Sequence, residues 1–203
     1  MDIDRVAHWE KVYETKVPSQ VSWTQEYPKT SFEIIQSFEL PKTAKIIDVG
    51  GGDSKLVDCL LDAGYEDITV LDISKKALVK AQQRLGDKAS KVNWVVSDIT
   101  IFKPDRTFDI WHDRAAFHFL TEAEQISQYV AIASSCVKDY LSVGTFSKQG
   151  PAKCSGLNVS QYSEEELMSV FSSAFHLLDS KTEDHTTPFD TLQNFLFCSF
   201  KKK

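Results

Sequence analysis

A short apolar run, residues 45–49 (KIIDV), ends in three glycines, Gly50, Gly51 and Gly52, and a stretch of helical periodicity follows. This junction constrains the fold more than any other feature of the chain. An apolar run without polar alternation reads as a strand buried on both faces, the kind found in parallel sheets covered by helices. The glycines permit a sharp turn, and the helix beyond it presents free N–H groups to a ligand. Taken alone, the loop also fits a plain strand-to-helix turn. Its place at the carboxyl end of such a strand is where ligand crevices form in open α/β sheets.

The same rhythm continues along the chain. Leu56, Val57, Leu60 and Leu61 predict a helix up to Gly64. Residues 68–71 (ITVL) read as a strand, and residues 74–85 as a helix capped by Ser74 and stopped by Gly86. Strands follow at 92–96 and 108–111, and Thr121 with Glu124 reads as a capping box for a helix to about Ser135. Residues 140–146 form a further strand, and Ser163 with Glu166 opens a helix to about Ala174. Residues 175–181 and 194–200 are strand-like. The short polar gap between them suits an antiparallel hairpin at the sheet edge better than a crossover helix.

Ahead of residue 45, Asp4 is placed to cap a helix carrying Val6, Trp9, Val12 and Tyr13. Residues 17–27 read as loop and residues 31–38 as a second helix ended by Pro41. The predicted fold is α/β: a seven-stranded, doubly wound, mostly parallel sheet with a C-terminal antiparallel hairpin strand and helices on both faces. One domain over residues 1–203 is expected, with 1–44 a helical lid segment and 45–203 the core.

Composition removes several function classes. A formal charge of −6 without a basic block disfavours a binder of phosphate backbones, so no nucleic-acid partner is expected. No apolar stretch reaches the roughly 18 residues of a membrane span. The acidic start (Met1, Asp2, Ile3, Asp4) is unlike a secretory leader. Cys59, Cys136, Cys154 and Cys198 form no CxxC pair, which fits reduced thiols in a cytoplasmic protein. His8, His112, His118, His176 and His185 contain no i,i+4 pair, so no metal site is expected.

The acids behind the glycines narrow the ligand. No lysine falls among the glycines, which disfavours a nucleoside triphosphate. A dinucleotide fingerprint fails at its last glycine, where Lys55 stands. Asp48 beside an anionic pyrophosphate would be repulsive, whereas beside an ammonium and a sulfonium it is attractive. That sign favours S-adenosyl-L-methionine. Asp72 ends the second strand 20 residues after Gly52, placed to accept hydrogen bonds from ribose hydroxyls, with Ile73 next to it. Asp98 ends the third strand, placed to hold an adenine amino group beside the Ile99 main chain. Each strand-end aspartate alone also reads as a turn or helix cap.

The D-x-G-x-G of Asp48, Gly50 and Gly52, followed by Asp72, Asp98 and a terminal hairpin, resembles the class I (seven-stranded, Rossmann-like) S-adenosylmethionine-dependent methyltransferases over residues 30–203. The usual third glycine is Ser54 here. The resemblance implies that Asp48, Gly50, Gly51 and Gly52 surround the methionine part of the cofactor, Asp72 the ribose and Asp98 the adenine. It also places Trp111–Phe119 beside the transferable methyl, with Asp113, Arg114 and His118 positioning the acceptor. Asp-Arg followed by small and apolar residues is similar to the thiopurine and thiol methyltransferase branch. There a Trp-rich amino-terminal helix covers the cofactor, as Trp9, Tyr13 and Trp23 would here. His8 and Trp9 are nearly as similar to relatives acting on protein lysines.

A small molecule such as a thiol is therefore the first acceptor reading, and a protein lysine the second. A dehydrogenase-like nucleotide-binding domain or a non-catalytic family member are the alternatives. His112, His118 and His185 are the candidate bases, each also readable as a hydrogen-bonded structural histidine.

Overall fold

The computed structural model describes residues 4–203; the acidic start read at Met1–Ile3 lies outside the described residues. Seven strands make one sheet: β1 (Lys45–Val49), β2 (Asp67–Asp72), β3 (Val92–Val96), β4 (Phe108–Arg114), β5 (Val137–Phe146), β8 (Phe175–Thr186) and β9 (Leu192–Lys202). Two two-residue strands, β6 (Lys153–Cys154) and β7 (Leu157–Asn158), pair separately as a small hairpin. The sheet order is β3-β2-β1-β4-β5-β9-β8. The first five strands are parallel, and β9 enters antiparallel to β5 with β8 on its outer side.

The helices are α1 (Arg5–Thr15), α2 (Lys29–Ser37), α3 (Leu56–Asp62), α4 (Lys75–Leu85), α5 (Ala123–Cys136) and α6 (Glu164–Phe171). Ser74 caps α4 by accepting from the Ala77 N–H, and Ser163 with Glu166 forms the capping box of α6. At α5 the box lies one residue beyond the Thr121–Glu124 reading, on Glu122 and Gln125. A Thr-x-x-Glu pattern and a Glu-x-x-Gln pattern overlap there, and periodicity does not choose between them. Strand β4 runs on to Arg114 instead of stopping at Trp111, because His112 and Asp113 stay paired with both β1 and β5, and Arg114 with Gly144 of β5. No helix among the described residues is long and apolar enough to cross a membrane.

The core has two layers, one on each face of the sheet. Ile46, Ile68, Val70 and Ile110 meet Ile35, Val57, Leu60 and Leu78 of α2, α3 and α4. Ile47, Val49, Trp111 and Leu141 meet Tyr129 and Ala133 of α5 and Leu167 and Phe171 of α6. Neighbouring residues of one strand thus feed opposite layers, which is why these strands read as continuous apolar runs. The chain leaves β1 toward β2 on one side, while β4 lies on the other. The resulting topological switch point sits at the carboxyl ends of β1 and β4.

Candidate active site

The glycine loop opens at this switch point. Gly50 (φ +67°) and Gly52 (φ +49°) adopt left-handed backbone, and the Gly50 and Gly51 N–H groups donate to the Leu71 carbonyl at 2.7 and 3.2 Å. A Cβ at Gly50 would overlap the Ala116 side chain. One at Gly51 would lie 2.6 Å from Asp48 Oδ2, and one at Gly52 2.6 Å from the Tyr13 hydroxyl. The loop therefore keeps the backbone close to whatever lies across it. Ser54 Oγ accepts from the Leu56 N–H at 3.2 Å, so it supports the start of α3 where a third glycine was expected.

Two adjoining compartments lie over the loop. The first has a cavity volume of about 100 Å³ and is lined by Trp9, Tyr13 and Trp23 above, Gly50, Asp72 and Ile73 below, and Asp98 and Ile99 at one end. The second lies on the α2 side, between the glycine loop and the segment after α1; Asp48, Gly51, Ser31 and His112 line it. Tyr13, Trp23, Gly50 and Arg114 belong to both, so the two meet there.

The first compartment is acidic. Asp72 is buried, one of its oxygens accepting from the Ser74 N–H at 2.7 Å. Burial raises its carboxyl to about 7; the charges of Asp53 and Asp48 add to the rise, and the Ser74 and Gly52 N–H groups oppose it. Asp98 caps a short turn through the Thr100 N–H and pairs with Arg5 at 2.6 Å. That arginine gave no signal in the sequence. Glu10 accepts from Ser74 Oγ at 3.1 Å and from the Lys76 N–H at 3.2 Å, docking α1 on the amino end of α4. Trp9 makes edge contacts with Trp23 (5.6 Å) and Phe119 (5.0 Å), and this aromatic cluster roofs the compartment.

Strand β4 divides its polar residues between the two faces. Trp111 and Asp113 point into the α5 layer. Asp113 accepts from the Ala116 and Phe117 N–H groups at 3.0 and 3.1 Å and from the Tyr129 hydroxyl at 2.9 Å, which in turn accepts from Trp111 Nε1 at 2.8 Å. Burial raises Asp113 to about 6 against these bonds. Its carboxylate is turned away from both compartments, so the expected acceptor-positioning place is corrected to a buried one under the turn after β4. Ala115 (φ +67°) makes that turn in left-handed backbone, unusual for a residue with a side chain.

His118 is also displaced from the expected role. It is buried, stacks on Phe146 at 4.4 Å, and its Nδ1 accepts from the Phe146 N–H at 3.3 Å. Burial and the Arg114 charge lower it to about 3, and it lines neither compartment. Arg114 does line both. One of its nitrogens donates to the Trp23 carbonyl at 3.0 Å, its guanidinium lies 4.6 Å from the Phe195 ring, and Nε and Nη2 are buried without a partner among the described residues. Burial lowers it to about 10, so it stays charged at neutral pH. His185 Nε2 donates to the Ser22 carbonyl at 2.7 Å, away from the loop. Cys154 is buried with its thiol pushed up by burial. Among the described residues no group of three His, Cys, Asp or Glu side chains is arranged to hold a metal ion.

The comparisons with known proteins bear on this geometry. A family model described as a methyltransferase domain matches residues 46–139, which include the glycine loop, Asp72, Asp98 and the whole of β4. Residues 46–139 thus resemble a methyltransferase domain, and the whole sheet has the fold of solved S-adenosylmethionine-dependent methyltransferases. An eEF1A lysine and N-terminal methyltransferase of Mus musculus is 28% identical over 122 residues, covering 59% of this chain. This chain spans only 17% of that relative's length. A SAM-dependent methyltransferase from Anabaena variabilis shares the fold with a TM-score of 0.78 at 13% identity, over 100% of this chain and 96% of that one. The N-methyltransferase NodS from Bradyrhizobium japonicum, solved with S-adenosyl-L-homocysteine, gives 0.72 at 15% identity, over 95% and 97%.

The residues of this site fit S-adenosyl-L-methionine. The glycine cradle leaves no room for side chains, and the acids Asp48, Asp53 and Asp72 bear on one another across it, which suits a cationic ligand. Arg5, Glu10 and the His112–Asp48 contact are the parts of the site that the sequence did not disclose.

Proposed function

We propose that this chain transfers the methyl group of S-adenosylmethionine to a small acceptor, a thiol being the first candidate, seated in the second compartment. The observation that carries the reading is the cover. Trp9, Tyr13 and Trp23 roof the first compartment, and Tyr13, Pro18, Trp23 and Thr24 bound the second, so an acceptor enters a covered space and not an open groove.

Asp48 and Gly50–Gly52 would hold the methionine part of the cofactor, Asp72 and Ile73 the ribose, and Asp98 and Ile99 the adenine. When bound, the cofactor supplies an electrophilic methyl on a cationic sulfur. The work left to the protein is orientation and exclusion of water, worth about 7–11 kcal/mol in favourable cases. The aromatic roof excludes water, and Arg114 stands where the compartments meet to orient an acceptor.

A second reading is favoured by the similarity to the eEF1A lysine and N-terminal methyltransferases: a protein amine would enter the same compartment as an extended side chain. Calorimetric titration with S-adenosylmethionine and NAD in parallel, then labelled-methyl transfer to thiols, amines and lysate proteins, tests both. Binding of S-adenosylmethionine alone, with label on a small thiol, is expected. Label on protein only would move the conclusion to the second reading, and binding of NAD alone would overturn both.

A further inference from the structure

We infer that His112, held by Asp48, is the general base of this reaction and takes the proton of an acceptor that arrives as a thiol, hydroxyl or ammonium. The inference rests on the reading above that the second compartment seats the acceptor. Asp48 and His112 are register partners on the parallel pair β1–β4, and both side chains stand on the α2 face. His112 Nδ1 lies 2.7 Å from Asp48 Oδ1, and both residues are buried. A carboxylate can only accept, so the imidazole proton sits on Nδ1 and the lone pair on Nε2. Nε2 is buried without a hydrogen-bond partner among the described residues, and His112 lines the second compartment. A buried lone pair without a donor is costly unless a ligand supplies one.

The other histidines lack this arrangement. His118 Nδ1 accepts from the Phe146 N–H, so its Nε2 carries the proton and has no lone pair to offer. His185 Nε2 is engaged with the Ser22 carbonyl. Ser31 Oγ, also buried and unpartnered, lines the same compartment from α2 and offers a second hydrogen bond to the same acceptor.

The charged groups around the compartment come from five elements. Asp48 stands on β1, Arg114 on β4, Asp53 and Lys55 in the glycine loop, Arg84 on α4 and Glu26 ahead of α2, with the Tyr13 hydroxyl on α1. Glu26 pairs with Lys55, and Arg84 with Asp58 and the Asp53 and Ser54 carbonyls. Asp48 and Arg114 are left as the opposing charges beside His112, and the Asp53 carboxylate, which makes no ion pair among the described residues, adds a second negative charge to the lining.

In the step itself, the acceptor atom forms its bond to the methyl carbon while the sulfur–methyl bond breaks, the electron pair remaining on sulfur. The acceptor's proton passes to His112 Nε2. Asp48 balances the resulting imidazolium until solvent removes the proton, so the products are the methylated acceptor, S-adenosylhomocysteine and one released proton.

Two thiol probes separate a base from a structural histidine. 4-Nitrothiophenol is already a thiolate at neutral pH, whereas 2-mercaptoethanol is not. His112→Gln is expected to lose about 10²-fold or more in kcat/KM with 2-mercaptoethanol and little with 4-nitrothiophenol. The variant's residual rate should rise with pH as the alkyl thiol ionises, and cofactor affinity by calorimetry should hold. Equal losses on both thiols would overturn the inference. Nitrogen NMR of the ring-labelled wild-type protein with S-adenosylhomocysteine gives an arm that needs no variant: Nδ1–H with unprotonated Nε2 is expected, and an Nε2–H tautomer would overturn the inference. If the wild type binds the cofactor but methylates neither thiol, the acceptor class proposed above fails, and the tautomer still decides the role of His112.

Discussion

Asp48 and Asp113 are both buried carboxylates near the carboxyl ends of adjacent parallel strands, and the fold uses them in opposite ways. Asp113 has three donors, two backbone N–H groups and the Tyr129 hydroxyl, all contributed by the chain. Asp48 has the His112 ring, and that ring ends in a buried nitrogen without a partner. Register puts Asp48 opposite His112, and Asp113 opposite Val49. Strand alternation then sends the first pair toward the glycine loop and Asp113 toward α5. Burial is common to both, so burial does not separate them. Completeness of hydrogen bonding does: the satisfied network of Asp113 fixes a turn, while the Asp48–His112 pair ends in a nitrogen that can still take a donor.

The largest expected effect breaks the satisfied side. Asp113→Ala leaves the Tyr129 hydroxyl and the Ala116 and Phe117 N–H groups without their acceptor, at a cost of about 3–5 kcal/mol. For a chain of this size that lowers Tm by roughly 10 °C or more, read by thermal unfolding, while cofactor affinity per folded molecule holds. Loss of affinity without loss of stability would put Asp113 on the same side of the comparison as Asp48.

Asp72→Asn tests the acidic compartment and should move two quantities in opposite directions. Burial raises the Asp72 carboxyl from its ordinary 3.8 to about 7, so the folded state holds the proton more tightly than the unfolded chain does. The unfolded state binds fewer protons between those values, and stability falls as pH rises from about 4 to about 7. Above that window the buried charge costs on the order of 4 kcal/mol. At pH 8 the cofactor-free Asn variant should therefore melt higher than the wild type. Its cofactor affinity should drop by about 10- to 150-fold, the worth of a charge-assisted pair of ribose hydrogen bonds. A variant with unchanged affinity would detach Asp72 from the ribose.

How far the sequence carries this comparison depends on which residues are local. KIIDV, the glycine turn, the Ser74 cap and the Ser163–Glu166 box act within a few residues, and each lies in the structure where its pattern places it. Asp72 is legible because it ends β2, whereas Asp98 lies two residues past the end of β3 and caps the turn that follows. The Arg5–Asp98 pair spans 93 residues and the His112–Asp48 contact 64, and no periodicity reports on such distances. The misplacement of Asp113 has a simpler source. Placing Trp111–Phe119 as one segment beside the methyl overlooks that alternate residues of an extended strand face opposite layers. With the strand drawn to Arg114, parity alone would have separated His112 and Arg114 from Asp113.

The smallest predicted effect has the most informative sign. Arg5 pairs with Asp98 at 2.6 Å, both side chains partly exposed at 24% and 17%, a setting in which ion pairs contribute at most about 1 kcal/mol. If α1 is a cover, this contact and the docking of Glu10 on α4 are its fastenings. Arg5→Ala should then weaken cofactor binding by about fivefold, and the wild-type affinity should fall toward the variant's as salt is raised. The same arginine also occupies an oxygen of the carboxylate assigned to the adenine. Were that competition the stronger influence, the variant would bind the cofactor more tightly and α1 would act as an obstruction. Calorimetry of both proteins at low and high salt separates the two, because a fastening and a competitor move the affinity in opposite directions.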